Sequence, residues 1–197
     1  MTRIKNIPML AIITLLFLSL VLSGCTTMVG AGATVGVAVA QERGIKGRAR
    51  DLKIEALVLE QFIKAGIKLT TTIGVEVYEG RVLLTGASKN TKITDQAVKL
   101  AWKVNGVEKV INEIQVGHDT SISNFAQDSW ITAQIKSNMT FDKNVYSINY
   151  TIETVNGIVY LIGIAQNKAE HDRAKQHAAN VKFVRNVVSH VRIKKKY

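Results

Sequence analysis

The sequence contains very little cysteine and proline: each occurs once in 197 residues, and the cysteine is Cys25. A single cysteine excludes an intrachain disulfide framework and a metal site built from several thiolates. The four histidines show no ligand spacing, and His171 and His177 lie six residues apart, so they diverge on a helix. No Ser/His/Asp order, carboxylate pair in a predicted cleft or phosphate-binding loop is present. These absences predict a protein without a metal, a cofactor or catalytic activity.

Acidic residues are also scarce relative to basic ones. The chain has 26 Lys and Arg against 15 Asp and Glu, which gives a formal net charge of +11. Such a surface attracts anionic lipid, nucleic acid or an acidic partner. Arg3 and Lys5 precede an uncharged, largely apolar run at residues 7–22, a pattern typical of a signal peptide and short for a membrane span.

Leu22-Ser-Gly-Cys25 ends the apolar run and resembles the bacterial lipobox. The resemblance implies that residues 1–24 are a lipoprotein signal peptide and that Cys25 carries diacylglycerol, with a further acyl chain such as palmitate on its amine. The alternative is an uncleaved anchor helix with an incidental cysteine. Thr26 stands where aspartate retains lipoproteins at the inner membrane of enteric bacteria. We therefore expect a lipid-anchored protein on the periplasmic face of the outer membrane, with no access to nucleic acid.

Residues 25–50 have the composition of a tether. Residues 26–40 are small, apolar and uncharged, and residues 41–50 are glycine-rich and basic. This composition favours a disordered linker. The alternative is a segment that lies on the bilayer, with its four arginines and lysines, Arg43, Lys46, Arg48 and Arg50, against lipid head groups.

The rest of the sequence repeats itself with an offset of 77 positions and no gap. Gly80-Arg-Val-Leu-Leu-Thr-Gly86 aligns with Gly157-Ile-Val-Tyr-Leu-Ile-Gly163, and Asp51 aligns with Asp128. A gapless match of glycines and apolar positions indicates two copies of one module. We therefore divide the remainder of the chain into domain 1 (residues 51–117), a link (118–127) and domain 2 with a basic tail (128–197).

Each copy has the pattern α-β-β-α-β. Apolar residues four apart predict the first helix, and the dipeptides Glu79-Gly80 and Asn156-Gly157 predict the turn of a β-hairpin, because a type I′ turn needs two residues with positive φ. The sequence thus predicts an α+β fold in which two helices pack on a small three-stranded mixed sheet in each domain. The predicted helices cover about 51–65, 90–103, 126–139 and 167–180; the predicted strands cover about 72–79, 81–87, 107–116, 148–155, 158–165 and 184–193.

The repeat resembles the BON domain, a small α/β module of bacterial envelope proteins. The motif G-x-V-x-L-x-G occurs at Gly80–Gly86 and Gly157–Gly163, and G-V-x-x-V-x-N occurs at Gly106–Asn112. In domain 2, Phe183 replaces the first glycine of the latter motif and Ser189 replaces its asparagine.

A lipobox followed by two such modules is similar to a family of outer-membrane lipoproteins with two BON domains, associated with the division site and with envelope integrity. The resemblance covers essentially the whole mature chain. It implies that domain 2 binds anionic phospholipid, phosphatidylglycerol or cardiolipin, chiefly through its first helix, and that the protein is not an enzyme.

The two domains also differ in charge and in one aromatic residue. Domain 1 has nine basic and eight acidic residues, whereas domain 2 has eleven and five. Trp130 aligns with Lys53, a residue that must face water, so position 130 is predicted to lie on the surface. An exposed tryptophan beside basic residues suits a bilayer interface. The alternative is that Trp130 packs against domain 1 or the link. Trp102 is expected to pack between the domains.

The predicted lipid-binding surface lies on and just after the first helix of domain 2. Besides the membrane held by Cys25, its partner is expected to be anionic phospholipid. The alternative is a protein-interaction surface that docks on an envelope assembly machine or another acidic envelope partner. The predicted residues of this surface are Trp130, Gln134, Lys136, Ser137, Phe141 and Lys143.

Overall fold

The computed structural model describes residues 41–117 and 122–195. The predicted signal peptide, Cys25, most of the predicted tether and part of the link therefore lie outside the described residues. Domain 1 contains α1 (Gly44–Ala65), α2 (Ile67–Thr72), β1 (Ile73–Tyr78), β2 (Arg81–Ser88), α3 (Thr91–Trp102), β3 (Lys109–Asn112) and β4 (Gln115–Val116). Domain 2 contains α4 (Ile122–Phe141), a 3₁₀ turn (Ser147–Asn149), β5 (Tyr150–Val155), β6 (Ile158–Ala165), α5 (Lys168–Ala179) and β7 (Asn186–Ile193).

The predicted α+β fold is confirmed in both domains. Strand β2 pairs antiparallel with β1 and parallel with β3, and β6 pairs antiparallel with β5 and parallel with β7. Two details were not predicted. The short helix α2 precedes β1, and the last strand of domain 1 is divided into β3 and β4, whereas β7 runs for eight residues without a break.

Both predicted hairpin turns form with positive φ at their two central residues: 50° and 69° at Glu79 and Gly80, and 50° and 74° at Asn156 and Gly157. An aspartate of the first helix holds each turn. The Asp51 carboxylate accepts hydrogen bonds from the backbone N–H groups of Glu79 and Gly80, at 2.8 and 3.0 Å. Asp128 does the same for the other turn, at 2.7 and 2.8 Å. These bonds explain why the repeat begins at an aligned aspartate, since each aspartate ties its helix to its own hairpin.

The second hairpin strand of each domain contains a glycine that no other residue can replace without strain. A Cβ atom at Gly86 would lie 2.1 Å from the Thr72 carbonyl oxygen, and one at Gly163 would lie 2.0 Å from that of Asn149. Their φ values of 122° and 155° also favour glycine. The final glycine of the repeated motif therefore allows the chain that enters the hairpin to pass close to its second strand.

The described residues form four layers, helices–sheet–sheet–helices. In domain 1, α1 and α3 cover one face of the sheet around Val58 and Phe62. In domain 2, α4 and α5 cover one face around Ile131 and Ile135. The opposite faces of the two sheets share a third apolar cluster that includes Tyr78, Leu83, Ala87, Ile111, Val155, Tyr160 and Ile162. The helices of the two domains therefore lie on opposite outer sides of the molecule.

Polar groups also cross the interface between the sheets. The buried Arg81 guanidinium donates to the carbonyl oxygens of His190 and Gly163, at 2.7 and 3.1 Å. Glu76 on β1 and Glu153 on β5 occupy equivalent repeat positions, and their side chains lie close to each other. Trp102, predicted to pack between the domains, is 52 % exposed at the end of α3. That prediction was wrong because Tyr78 and Tyr160 supply the aromatic contacts of the interface.

Residues 41–50 are not a free linker, contrary to the tether prediction. Helix α1 already begins at Gly44 because the buried Arg43 side chain pairs with Asp51 at 2.7 Å and donates to the Val77 carbonyl oxygen. The Gln41 side chain donates to the carbonyl oxygen of Ile148. Arg43 therefore anchors the start of domain 1, and Gln41 holds the preceding chain against domain 2.

Candidate lipid-binding surface

Helix α4 presents two chemically different faces. Ile131, Ile135 and Met139 are fully buried against the sheet of domain 2, which is the four-residue spacing of a helix packed on one side. The opposite side is exposed along its length. Four of the six predicted site residues share this side at intervals of three and four residues: Trp130, Gln134, Ser137 and Phe141.

Trp130 is 44 % exposed. Its indole lies edge-on to the Phe183 ring, with the ring centroids 6.0 Å apart and an interplanar angle of 67°. Phe183, in the loop between α5 and β7, is itself 49 % exposed, and the Lys182 ammonium lies 4.8 Å from its ring centroid. We call Trp130, Lys182 and Phe183 the aromatic patch. It combines apolar area with a cation at the surface of domain 2.

Phe183 adopts a backbone conformation that glycine usually occupies. Its φ is 71°, close to the 95° of the aligned Gly106. The turn is therefore conserved despite the replacement of glycine, and a left-handed conformation costs a bulky residue about 1–2 kcal/mol. Sequence reasoning recognised the replacement but not its contact with Trp130, which only the packing of the loop on α4 creates.

The other end of α4 carries a second exposed aromatic. Phe141 is 85 % exposed, and the exposed Lys143 follows it. Between them, Asp142 accepts hydrogen bonds from His177 at 2.6 Å, from the Asn144 backbone N–H and from Arg173. These bonds, that of His177 foremost, hold the pKa of Asp142 well below its usual range. They fix the loop after α4 on α5, so Phe141 and Lys143 project from an anchored segment.

Lys136 lies apart from the other predicted residues. It is about 120° from Trp130 around α4 and faces the Glu76–Glu153 pair at the domain interface. Burial, with Glu153 close by, raises the pKa of Glu76 to about 8, and the positive charge of Lys136 opposes that rise. Burial also raises the pKa of Glu153. The structure therefore groups Lys143, but not Lys136, with the aromatic side of the helix.

Several basic residues of domain 2 are engaged in ion pairs. Lys168 pairs with Asp172 at 2.5 Å, Lys194 with Glu42 at 2.9 Å, and Arg192 with Glu79. Lys143, Lys175 and Lys182, by contrast, have no carboxylate partner among residues 41–117 and 122–195. The lysines that remain available to an anionic ligand thus include Lys182 in the aromatic patch and Lys143 close to Phe141.

Two other features, a metal cluster and a membrane-spanning helix, are absent from the part of the chain that the structure describes. No group of three or more His, Cys, Asp or Glu side chains there could hold a metal ion. No helix within residues 41–117 and 122–195 is both long and apolar enough to cross a bilayer.

Comparison with known proteins agrees with the repeat. The sequence model of the BON domain matches residues 50–118 and again residues 127–195. The chain is 32 % identical to the outer membrane lipoprotein DolP of Haemophilus influenzae over 184 residues, which is 92 % of this chain and 94 % of that protein. It is 32 % identical over 152 residues to a 21 kDa hemolysin of Actinobacillus pleuropneumoniae, covering 74 % and 78 % of the two chains.

A third relative is an uncharacterized protein of Anaplasma centrale, 42 % identical over 125 residues, which is 63 % of this chain and 83 % of that protein. Two family matches, both on the observed α-β-β-α-β units, span more than half of the sequence. The chain therefore belongs to the BON-domain family and contains two BON domains.

Proposed function

We propose that this protein is a non-enzymatic lipoprotein of the outer membrane, anchored through Cys25 on the periplasmic face, and that domain 2 binds anionic phospholipid. The single observation that carries the proposal is the aromatic patch, because Trp130 and Phe183 are both about half exposed and Lys182 lies beside them. The 32 % identity to an outer membrane lipoprotein over almost the whole chain supports the location.

The chemistry of the patch suits the head-group region of a bilayer. Tryptophan is favoured at this depth because its ring is apolar and its N–H can still reach water or lipid oxygen. Each basic residue near an anionic surface contributes about 1 kcal/mol, which salt screens. Lys182 and Lys143 would thus contact head groups while Trp130, Phe183 and Phe141 enter the apolar edge.

The path of the N-terminal segment also supports domain 2 as the membrane contact. Gln41 lies on domain 2 at Ile148, and the 3₁₀ turn that contains Ile148 approaches the C-terminal end of α4, where Thr140 contacts Ser147. A chain that comes from a lipid anchor would therefore reach the molecule beside α4. Two contacts, acyl chains and α4, would hold the protein to one membrane more firmly than either contact alone.

Vesicle sedimentation tests the lipid contact. Residues 26–197 should bind vesicles containing phosphatidylglycerol or cardiolipin, bind phosphatidylcholine vesicles weakly, and lose binding as salt rises. Trp130→Glu should weaken binding by about tenfold or more, since a carboxylate replaces the ring at the interface. Trp102→Glu is the matched control: it makes the same change at a tryptophan of similar exposure in domain 1, and binding should persist.

Absent or salt-independent vesicle binding would contradict the proposal. Crosslinking of position 130 to one envelope protein, without lipid binding, would establish the alternative of a protein-docking surface. We also propose that the lipid contact maintains outer-membrane integrity, including at the division site. A strain lacking the protein should then become detergent-sensitive, and Trp102→Glu, but not Trp130→Glu, should restore resistance.

The anchor has its own test. Mass spectrometry of the mature N-terminal peptide should show Cys25 with a diacylglyceryl group and an acylated amine. Cys25→Ser should release the protein from the membrane fraction. An unmodified Cys25 would contradict the anchor without affecting the vesicle result.

A further inference from the structure

Two shallow hollows lie side by side in domain 2, between α5 and the loop that follows α4. Their volumes are about 510 and about 440 Å³, and Lys143, Asn144 and Arg173 line both of them. Phe141 lies at the first hollow and Tyr146 at the second, and both of these side chains are largely exposed. Each hollow therefore places an aromatic ring beside the same two cations, Lys143 and Arg173. We call the pair the twin hollows.

Arg173 is fixed at one edge of its guanidinium and free at the other. Its Nε donates to the Asp142 carboxylate, which also accepts hydrogen bonds from His177 at 2.6 Å and from the Asn144 backbone N–H at 2.9 Å. The two Nη groups of Arg173 have no acceptor within residues 41–117 and 122–195. A guanidinium held in this way is pre-organised, so little conformational entropy is lost when its free donors bind a ligand.

Lys143 supplies a second cation. Its side chain makes no ion pair or hydrogen bond with the residues that the structure describes. It stands between Asp142 and Asn144, whose backbone N–H binds the Asp142 carboxylate, so the network that fixes Arg173 also fixes the backbone of Lys143. The twin hollows thus combine a planar guanidinium with an ammonium point charge, the two side-chain groups that proteins use to bind phosphate.

Both acids that line the twin hollows are already occupied by donors. Asp142 is nearly buried and accepts the bonds of the network around Arg173. Glu170 is buried and accepts hydrogen bonds from the backbone N–H groups of Tyr146 and Gln166, at 2.9 and 2.6 Å, and from the Tyr150 hydroxyl at 3.2 Å. The lining therefore turns cations, and not acids, toward solvent.

Domain 1 has none of the residues that build this network. The residues at the equivalent positions are uncharged: Ala65 aligns with Asp142, Gly66 with Lys143, Gln96 with Arg173 and Leu100 with His177. Leu69, which aligns with Tyr146, is buried in the core of domain 1. The fold therefore does not require the network, which is particular to the domain that also carries Trp130.

We propose that Arg173 and Lys143 bind the phosphodiester of one phospholipid head group, with the first carbons of the lipid against Phe141. A phosphodiester has two charged oxygens, so one can accept from the guanidinium fork and the other from the ammonium. This site rests on the proposed lipid binding by domain 2 and adds the chemical group that is recognised.

The position of the twin hollows agrees with a bilayer contact. Helices α4 and α5 cover the same face of the domain 2 sheet, so a membrane that meets Trp130 on α4 also lies close to α5. The side chain of Gln41 binds the carbonyl oxygen of Ile148 at 2.6 Å, two residues from Tyr146. A chain that comes from a lipid anchor at Cys25 therefore reaches the same corner of the molecule.

Vesicle binding by variants of residues 26–197, which include the whole compact unit from Ala38 onward, tests the site. Arg173→Lys keeps the charge but removes the fork, so binding to phosphatidylglycerol vesicles should weaken about tenfold. Lys143→Gln should give a similar loss. Lys175→Gln is the matched control, because it removes one charge about 160° away around α5, and its loss should be at most about fivefold. Far-UV circular dichroism checks that each variant remains folded.

NMR spectra of the parent protein distinguish a lipid head group from soluble phosphate. Dihexanoylphosphatidylglycerol, below the concentration at which it forms micelles, should shift the resonances of the Arg173 Nε–H and the Asn144 backbone N–H. Glycerophosphoglycerol and inorganic phosphate should shift the same resonances with about tenfold lower affinity, because they bury no acyl carbons. Equal affinities for the three probes would make the ligand a soluble phosphate and overturn the head-group assignment.

The vesicle results separate this site from the proposed function. Binding of Arg173→Lys equal to that of the parent would overturn the site and leave the lipid contact of domain 2 intact. Equal losses in Lys143→Gln and Lys175→Gln would also overturn it, since they would show only a general effect of charge. Absence of vesicle binding by the parent would contradict the proposed function instead. The NMR titration then decides the site by itself: a lipid-induced shift at Arg173 supports it, and no shift overturns it.

Discussion

Domain 1 has Lys53 where domain 2 has Trp130, and Gly106 where domain 2 has Phe183. The backbone at these places is the same. Gly106 and Phe183 both adopt positive φ, and the first helix of each domain packs on the sheet of that domain. Domain 2 thus gains two exposed aromatics where domain 1 has a cation and a glycine. Duplication of a small module thus provides two scaffolds of the same backbone whose exposed surfaces differ in chemistry.

The two domains also differ in how firmly the first helix is held. Asp51 and Asp128 bind their hairpin turns in the same way, but within residues 41–117 and 122–195 only Asp51 also pairs with a buried arginine, Arg43. The segment that precedes domain 1 therefore adds an ion pair to the aspartate that holds its hairpin. The three predictions below test these differences, in order of decreasing expected effect.

The largest expected effect comes from removal of the two aspartates. Asp128→Ala leaves two backbone N–H groups of the turn without their acceptors, which should cost about 2–4 kcal/mol of unfolding free energy. Asp51→Ala should cost about 3–5 kcal/mol, because it also leaves the Arg43 guanidinium buried without its partner. Urea denaturation of the two variants measures the difference. Equal losses would show that Arg43 does not distinguish the domains.

An intermediate effect is expected at the Glu76–Glu153 pair, where the two domains meet. Burial raises the pKa of Glu76 to about 8 in the folded protein, so folding favours the protonated form. Its contribution to stability is therefore full below the unfolded pKa, about 4.5, and declines as pH rises toward 8. Glu76→Gln should remove most of this decline and raise the melting temperature most at the alkaline end.

The charges that face this pair are those of Glu55 on α1 and Lys136 on α4, so Lys136→Gln should steepen the same decline. Differential scanning calorimetry between about pH 5 and pH 9 measures both variants. A pH profile of Glu76→Gln identical to that of the parent would show that the pair does not titrate in this range.

The smallest expected effect is at Phe183. Phe183→Gly restores the residue of domain 1 and should relieve the left-handed backbone, a gain of about 1 kcal/mol or less after the lost contact with Trp130. The same change should weaken binding to anionic vesicles because half of the aromatic patch is removed. Trp130→Ala is the control, since it removes the contact without changing the backbone. If Phe183→Gly is less stable than the parent and still binds the vesicles fully, Phe183 does not contribute to the lipid contact of the aromatic patch.

Much of the fold was predictable because it depends on local patterns. The gapless repeat, the apolar spacing of the helices and the Asn-Gly turn all act over a few residues, and the helices and strands form close to their expected bounds. The start of α1 was missed because the Arg43–Asp51 pair, which fixes it, depends on burial under the hairpin. Trp102 was misplaced because its position in the repeat does not reveal which face of the sheet another domain covers.

The candidate surface was predictable only in part. Comparison of Trp130 with Lys53 correctly indicated an exposed tryptophan, because a residue that aligns with a lysine must tolerate water. Phe183 was visible in the sequence as a replaced glycine, yet its contact with Trp130 requires the loop after α5 to pack against α4. Lys136 was grouped with Trp130 by proximity along the chain, whereas the turn of the helix directs it to the domain interface.

The sequence by itself determined that there are two modules, what elements each contains, and which of the two carries the exposed tryptophan and the excess positive charge. These properties follow from periodicity and composition, which do not depend on the rest of the structure. The tertiary structure alone decided that the sheets pack face to face, which puts α1 and α4 on opposite outer sides. The reason is physical: each sheet has a second apolar face, and burying one against the other removes both from water.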